Sequence, residues 1–369
     1  MIRIDEIYHH TFWTYIKKHL PSTCMYHCDP PGRTDPESIL NYELTGHEKN
    51  FVFFFDQEPM IPELHKSTFN EINQRNYLPG LIRKKGAVVV NEFDSDNIDY
   101  ICNQYNLQPF RYFFHGWAAL DWFRGYDKTF LITPPAQRTI NKTFFSPNRI
   151  IGGMRQHRVL MLYHFQRLGM MDNWISASKI CPVEHTSIET IALEYQQQYP
   201  DIVDTINQIS LPKLFPGEDQ TLMTSCWLDN FDLCAETLVY HISETIFTGR
   251  RQYLTEKTFK PIAMGMPFVI TGTAGSLAFL RRYGFKTFEG VWDESYDQET
   301  NDILRAERIA SLLKSLDELP QDGKQDLFKM ALPIIKHNWN HFYNGGFESV
   351  LWKELTTMLD SVGKFLTND

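Results

Sequence analysis

Short, continuous apolar runs alternate along this chain with longer segments of helical spacing. Phe51-Val52-Phe53-Phe54-Phe55, Ala87-Val88-Val89-Val90 and Thr129-Phe130-Leu131-Ile132 each end in polar residues, Pro or Gly. Runs of this length without polar alternation suit strands buried on both faces. Thr133-Pro134-Pro135 closes the third run, and Pro punctuation places a boundary between two halves at residues 133–142. Beyond it the pattern predicts a strand at 143–146 and a helix over 156–168, with Val159, Leu160, Leu162, Tyr163 and Phe165 forming its apolar face. Helical polar patterns fill 186–209. They are followed by a strand at 237–242, a helix from Thr255, a strand at 267–271 and a helix from about Gly275. Three more helical segments, 301–317, 324–337 and 347–364, complete the chain. Such alternation predicts an α/β fold with parallel sheets and helices on both faces.

The length, 369 residues, accommodates two domains that each bury a core. The expected division is a first α/β domain over 1–140, a second over 141–337, and a C-terminal helical segment over 338–369 that by analogy returns to the first. Hydrophobic residues at 43% and charged residues at 22% describe an ordinary globular chain. The 27 Phe read first as core and only second as a surface for stacking on sugars. No apolar stretch approaches the roughly 20 residues of a membrane span. Met1-Ile2-Arg3-Ile4-Asp5-Glu6 lacks the basic-then-apolar pattern of a signal peptide, so a cytoplasmic location is expected. The six cysteines, at 24, 28, 102, 181, 226 and 234, are scattered as reduced thiols are. Cys24, His27 and Cys28 have no second ligand pair at usable spacing, so no metal site is expected there. A net charge of −9 weighs against a broad nucleic-acid surface.

One window reverses that charge. Residues 250–286 hold seven cations, Arg250, Arg251, Lys257, Lys260, Arg281, Arg282 and Lys286, against the single acid Glu256. A solvated basic face would give the same run, but two adjacent segments independently suit phosphate. In Thr255-Glu256-Lys257, Thr255 reads as an N-cap, so backbone N–H groups and the positive end of a helix dipole would face a diphosphate. Thr271-Gly272-Thr273-Ala274-Gly275-Ser276 is a small-residue loop between strand and helix, where backbone, at Gly272 above all, can approach a ligand. It matches neither the Walker pattern nor a dinucleotide fingerprint. Both segments belong at the carboxyl ends of parallel strands, where α/β folds bind ligands. Glu256 suits ribose hydroxyls, or equally the compensation of a helix dipole.

Three stretches, Ser243-Glu244-Thr245, Tyr253-Leu254-Thr255-Glu256-Lys257 and Gly265-Met266-Pro267-Phe268-Val269-Ile270, together resemble the donor-binding signature of the α-1,3-fucosyltransferase family. Phe145-Ser146-Pro147-Asn148 with Arg158 is similar to that family's Ser-Asn and downstream Arg, and Glu58-Pro59 to its Glu-Ser-Pro. The resemblance covers residues 143–290 and touches the first domain only through the short motif. The chain departs from it where Gln57-Glu58-Pro59 lacks the Ser, where Thr-Phe-Lys-Pro follows Lys257, and at Trp292-Asp293-Glu294-Ser295-Tyr296-Asp297. In these features it looks most like phage and marine bacterial relatives. The resemblance implies a GT-B arrangement of two Rossmann-like domains facing a cleft, and inverting transfer from a nucleotide sugar, with a GDP-sugar favoured and no further cofactor. It makes Lys257 a diphosphate contact, Glu256 a ribose contact, Asn148 and Arg158 further donor-side groups, and Glu244 part of the same pocket.

An inverting transfer needs one base, because a nucleoside diphosphate leaves readily once cations neutralise it. Glu58, beyond the strand at 51–55, is the candidate base; capping of the next turn is the alternative role. His115 and Trp117 are weaker candidates for the acceptor, one as a hydrogen-bond donor and one as a stacking plane. Asp293, Glu294 and Asp297 could hold a divalent ion, but a loop or helix cap accounts for them without one, and no metal is expected. A glycan is the favoured acceptor. A phage-type enzyme in a host cytoplasm could instead modify a hydroxymethylated base in DNA, and a nucleotide-sugar or glycan-binding protein without catalysis would share the Lys257 region.

Overall fold

The apolar runs at 51–55 and 87–90 are neighbours in one parallel sheet. This computed structural model describes residues 23–27, 50–55, 57–62, 86–125, 138–218 and 227–367. The chain divides into two compact units: Met1–Asp121 with Arg250–Tyr253 and Glu348–Asp369, and Trp122–Gly249 with Leu254–Phe347. In the first, β1 (Thr23–His27), β2 (Asn50–Phe55), β3 (Gly86–Val90) and β4 (Leu107–Arg111) pair in that order, all parallel. Residues 52–55 and 86–90 are buried throughout, as strands covered on both faces require. The β3–β4 crossover is α1 (Asp96–Tyr105), and α2 (Phe114–Ala119) follows β4. Ser95 caps α1 through its side chain, Asp96 and Asp99 occupy its first turn, and Asn106 ends it in the left-handed region at φ 52°; all three are favoured stop and start chemistry.

Two later segments complete this unit. Phe93 and Gln252 exchange backbone hydrogen bonds of 3.0 and 2.7 Å, and Arg250 pairs with Asp96 and Asp99 on the surface. Trp352 meets Trp117 edge-on with ring centroids 4.8 Å apart, and Phe365 meets Phe110 at 5.6 Å.

The second unit runs β5 (Lys142–Ser146), α3 (His157–Arg167), β6 (Trp174–Ile175), α4 (Ile188–Leu193), α5 (Ile202–Asn207), α6 (Phe231–Ala235), β7 (Thr237–Ser243), α7 (Glu256–Ala263), β8 (Phe268–Thr271), α8 (Ser276–Arg282), α9 (Asp302–Asp317) and α10 (Gln321–Tyr343). The last helix, α11 (Gly346–Thr367), begins here and continues into the residues assigned to the first unit. The sheet order is β6-β5-β7-β8, again wholly parallel. Its register sets Phe145 beside Tyr240 and Ser243 beside Thr271, so the carboxyl ends of β5, β7 and β8 come to one edge. Helices α3 and α9 pack together, α9 also against β5, and α10 against α7. The helical stretch expected over 186–209 is two short helices, because Pro200 disfavours helical backbone before it. The expected strand at 129–132 and Cys28 lie outside the described residues. No described helix is long and apolar enough to cross a membrane.

Candidate functional site

Strand β7 ends in Ser243-Glu244-Thr245, and Glu244 turns inward. Its carboxylate is fully buried and accepts four hydrogen bonds. Oε1 takes the Thr255 N–H at 3.1 Å and the Thr258 hydroxyl at 2.6 Å; Oε2 takes the Thr255 hydroxyl at 2.6 Å and the Thr245 N–H at 3.2 Å. Glu244 thereby fixes the start of α7 against the end of β7. Thr255 is the N-cap, accepting weakly from the Lys257 N–H at 3.4 Å. The Lys257 ammonium lies 3.3 Å from the hydroxyls of Thr245 and Thr255 and 2.7 Å from Glu256 Oε1. The Lys257 side chain is about a quarter exposed while Glu256 is buried.

Arg158 reaches the same turn from the first helical turn of α3. Its Nη2 donates to the Ser243 carbonyl and its Nη1 to the Ile150 carbonyl, each at 2.7 Å. The guanidinium is buried, forms no ion pair among the described residues, and has its pKa lowered to about 9 by burial and then by Arg155, against the opposing pull of Glu244 and Glu256. Arg155, half-buried one turn earlier, likewise has no ion-pair partner among the described residues. Asn148 is placed by its amide, which donates to the Ser146 carbonyl at 3.2 Å and hydroxyl at 2.9 Å. That hydroxyl bonds His241 Nδ1 at 2.8 Å, and His241 Nε2 bonds the Thr271 hydroxyl at 2.7 Å. Burial, then Arg158, depresses His241 to about 3, so the imidazole links β5, β7 and β8 as a neutral ring.

The small-residue loop before α8 has an internal occupant for its helix N-terminus. Asp297 accepts the Leu277 N–H at 2.9 Å and the Ala278 N–H at 3.2 Å, one on each oxygen, and its carbonyl accepts the Gly275 N–H at 2.6 Å. A Cβ on Gly272 would stand 2.7 Å from the Ser276 hydroxyl, and the Gly272 carbonyl accepts from Arg305 Nε at 3.0 Å. Close packing therefore accounts for glycine at 272. The neighbouring acids are caps as well. Asp293 takes the Ser295 N–H and hydroxyl, and Glu294 takes Arg281, the Thr287 hydroxyl and the Phe288 N–H. Among the described residues no three His, Cys, Asp or Glu side chains are arranged to hold a metal ion. Nor is the basic run one patch: Arg250 and Arg251 belong to the first unit, Arg281 pairs with Glu294, and Lys257 is its member at the Glu244 centre.

In the first unit, Glu58 lies half-buried in the segment that follows β2. The backbone around it is held by side chains. The Tyr253 hydroxyl donates to the Gln57 carbonyl at 3.0 Å, Glu92 Oε1 accepts the Met60 N–H at 2.5 Å, and Asn97 donates to the Met60 carbonyl at 2.9 Å. Glu92 is itself buried, and burial raises its pKa against the lowering effect of Arg251 at 3.8 Å. His115 Nε2 bonds the Tyr253 hydroxyl at 2.9 Å, so it serves the same anchor. Trp117 departs from expectation. It is only 2% exposed, edge-on to Trp352, and a ring so covered has no face for a sugar.

The residues that pattern reading missed are Arg155, Glu92, Arg305 and His157, whereas Asp297 is found in the capping role expected as the alternative to a cation site. Arg155 and His157 carried a signal, standing one turn and one residue before Arg158; the others bond to partners far along the chain. No family model matches the chain, and no curated protein does. Among solved structures it is similar to an alpha,alpha-trehalose-phosphate synthase (UDP-forming) from Burkholderia vietnamiensis, at 13% identity over 85% of this chain and 69% of that one, with a TM-score of 0.33. A likeness of that size assigns neither a fold nor an activity to this chain.

Proposed function

We propose that this protein is a nucleotide-sugar-dependent glycosyltransferase whose donor diphosphate is bound in the second unit by Arg158, Arg155 and Lys257 at the start of α7. One observation carries the proposal: Arg158 is buried without an ion-pair partner among the described residues, with a second unpaired arginine close enough to depress it. Burying a guanidinium unpaired is costly, and a bound dianion would repay that cost at the carboxyl ends of β5 and β7. In the reaction the acceptor hydroxyl oxygen attacks the anomeric carbon, and the bond from that carbon to the diphosphate oxygen breaks with its electron pair leaving on the diphosphate. The cations stabilise that charge, which makes the scheme independent of a metal ion. Glu58 is the proposed base that takes the hydroxyl proton, giving inversion. The fucosyltransferase resemblance favours a GDP-sugar as donor and a glycan as acceptor.

The test is a thermal-shift and calorimetry panel of GDP, UDP, CMP and ADP with their common sugar conjugates, since a ligand that binds only the folded state raises Tm. One nucleotide family should stabilise the protein, and Lys257→Ala should weaken that binding about 10-fold, the scale of a lost charge-assisted hydrogen bond. Glu58→Gln should keep binding and lose transfer. Absence of any nucleoside diphosphate binding would overturn the proposal.

A further inference from the structure

Four nine-tenths-buried side chains around Arg158 have polar atoms with no hydrogen-bond partner among the described residues: Asn148 Oδ1, both ring nitrogens of His157, Arg158 Nε and Ser243 Oγ. Hydrogen bonds and adjacency in the chain connect them. Arg158 holds the Ser243 carbonyl, His157 precedes Arg158, and Asn148 joins through Ser146 to His241 on the strand that carries Ser243. Native interiors leave few such groups unserved, so four together call for an occupant.

Their chemistry narrows what that occupant is. Arg158 Nε–H only donates and Asn148 Oδ1 only accepts, while the Ser243 hydroxyl does either. Burial, then Arg158, holds the His157 pKa well below its usual value, so the ring is neutral and offers one donor and one acceptor. Phosphate oxygens accept only and would leave Asn148 unserved. A hydroxyl gives and takes, and several hydroxyls satisfy the whole set. The His157 ring is also held in place, stacked on Phe247 at 4.9 Å and 21°, with the Arg305 guanidinium 4.4 Å from the same Phe247 ring.

We infer that His157, Ser243, Asn148 and Arg158 Nε form a hydroxyl-recognising subsite that binds the sugar of the donor, with His157 setting specificity. This rests on the glycosyltransferase proposal and deepens it. Calorimetry on the full chain should compare free GDP and UDP with GDP-fucose, GDP-mannose and UDP-glucose, in wild type, His157→Phe and Ser243→Ala. His157→Phe keeps a ring on Phe247 and removes two unserved polar atoms, so its ligand-free Tm should hold or rise. The matching sugar conjugate should bind wild type about 3- to 10-fold more tightly than its free diphosphate, the scale of one or two net hydrogen bonds. His157→Phe should erase that increment and Ser243→Ala reduce it, with affinity for the free diphosphate unchanged in both. Ser243→Ala only deletes an unbonded hydroxyl, so it stays informative if the histidine variant does not fold. If wild type gains nothing from the sugar, or both variants keep the gain, buried water alone serves these groups and the inference is overturned while the diphosphate site stands. If no diphosphate binds wild type, the parent proposal falls and takes this one with it.

Discussion

Replacing Glu244 by Gln preserves the length and shape of the side chain and changes only what its two terminal atoms can do. The carboxylate accepts from four donors, two on each oxygen. With the amide oxygen at the Oε1 position, the Thr255 N–H and Thr258 hydroxyl keep their acceptor. The NH2 then meets the Thr255 hydroxyl, which can rotate to accept, and the Thr245 N–H, which cannot. The flipped amide strands the Thr255 N–H instead. Either way one buried backbone donor loses its partner, a cost of about 1–3 kcal/mol, and the carboxylate's attraction for Arg158 is lost as well. A total near 2–3 kcal/mol in a unit of this size lowers Tm by about 5–10 °C. Scanning calorimetry of the ligand-free protein measures it, and amide exchange should quicken at Thr245 or Thr255. A Tm within about 1 °C of wild type would refute the idea that Glu244 pins α7 to β7.

Acid should weaken the second unit in a defined window. His241 is depressed to about 3, His164 to about 4, and His157 well below its usual value, in each case chiefly by burial. Their folded pKa values lie below the unfolded value near 6.5, so stability is full above that pH and falls as pH drops from there toward 4. Each histidine takes away on the order of 1 kcal/mol by pH 5.5, partly offset by Glu218, Glu294 and Asp297 of the same unit, whose raised values act in the opposite sense. Urea unfolding at pH 7.5 and 5.5 should show the loss, and His164→Phe should reduce it; equal stability at both pH values would contradict it. Asp297→Ala should cost about 1–2 kcal/mol as a lost helix cap, read as a fall in Tm. Excess EDTA should leave wild-type Tm unchanged, and a fall with EDTA would restore the metal reading of Asp293, Glu294 and Asp297.

What pattern reading recovers best is whatever lies within a few residues. Strands β2, β3, β5, β7 and β8 follow apolar runs, and α7 starts at its Thr255 cap, because burial on both faces and N-capping are decided by neighbours in sequence. Elements without a run of their own escaped: β4 carries Gln108 and Pro109 in its middle, and β6 is two residues long. At the site, Glu244, Thr255 and Lys257 stand out as a motif, yet the bonds that give Glu244 its role span 11 and 14 residues and become definite only once β7 and α7 are packed side by side.

The longer-range pairings change the meaning of features already visible. An acidic cluster at 293–297 and a small-residue helix start at 272–276 look in sequence like a cation site and an anion site. In the fold they answer each other, because Asp297 occupies the N-terminus of α8 while Glu294 holds Arg281. The same cancellation removes Arg250 into surface pairs with Asp96 and Asp99. A charge run therefore locates a site only after its internal partners are subtracted. Within the second unit Arg155 and Arg158, which lie outside the run altogether, form no ion pair among the described residues, while the Lys257 ammonium pairs with Glu256. An anion binding there meets three cations, of which two need give up no carboxylate to receive it, and this is why the diphosphate is assigned to the end of β7 rather than to the glycine loop that first suggests it.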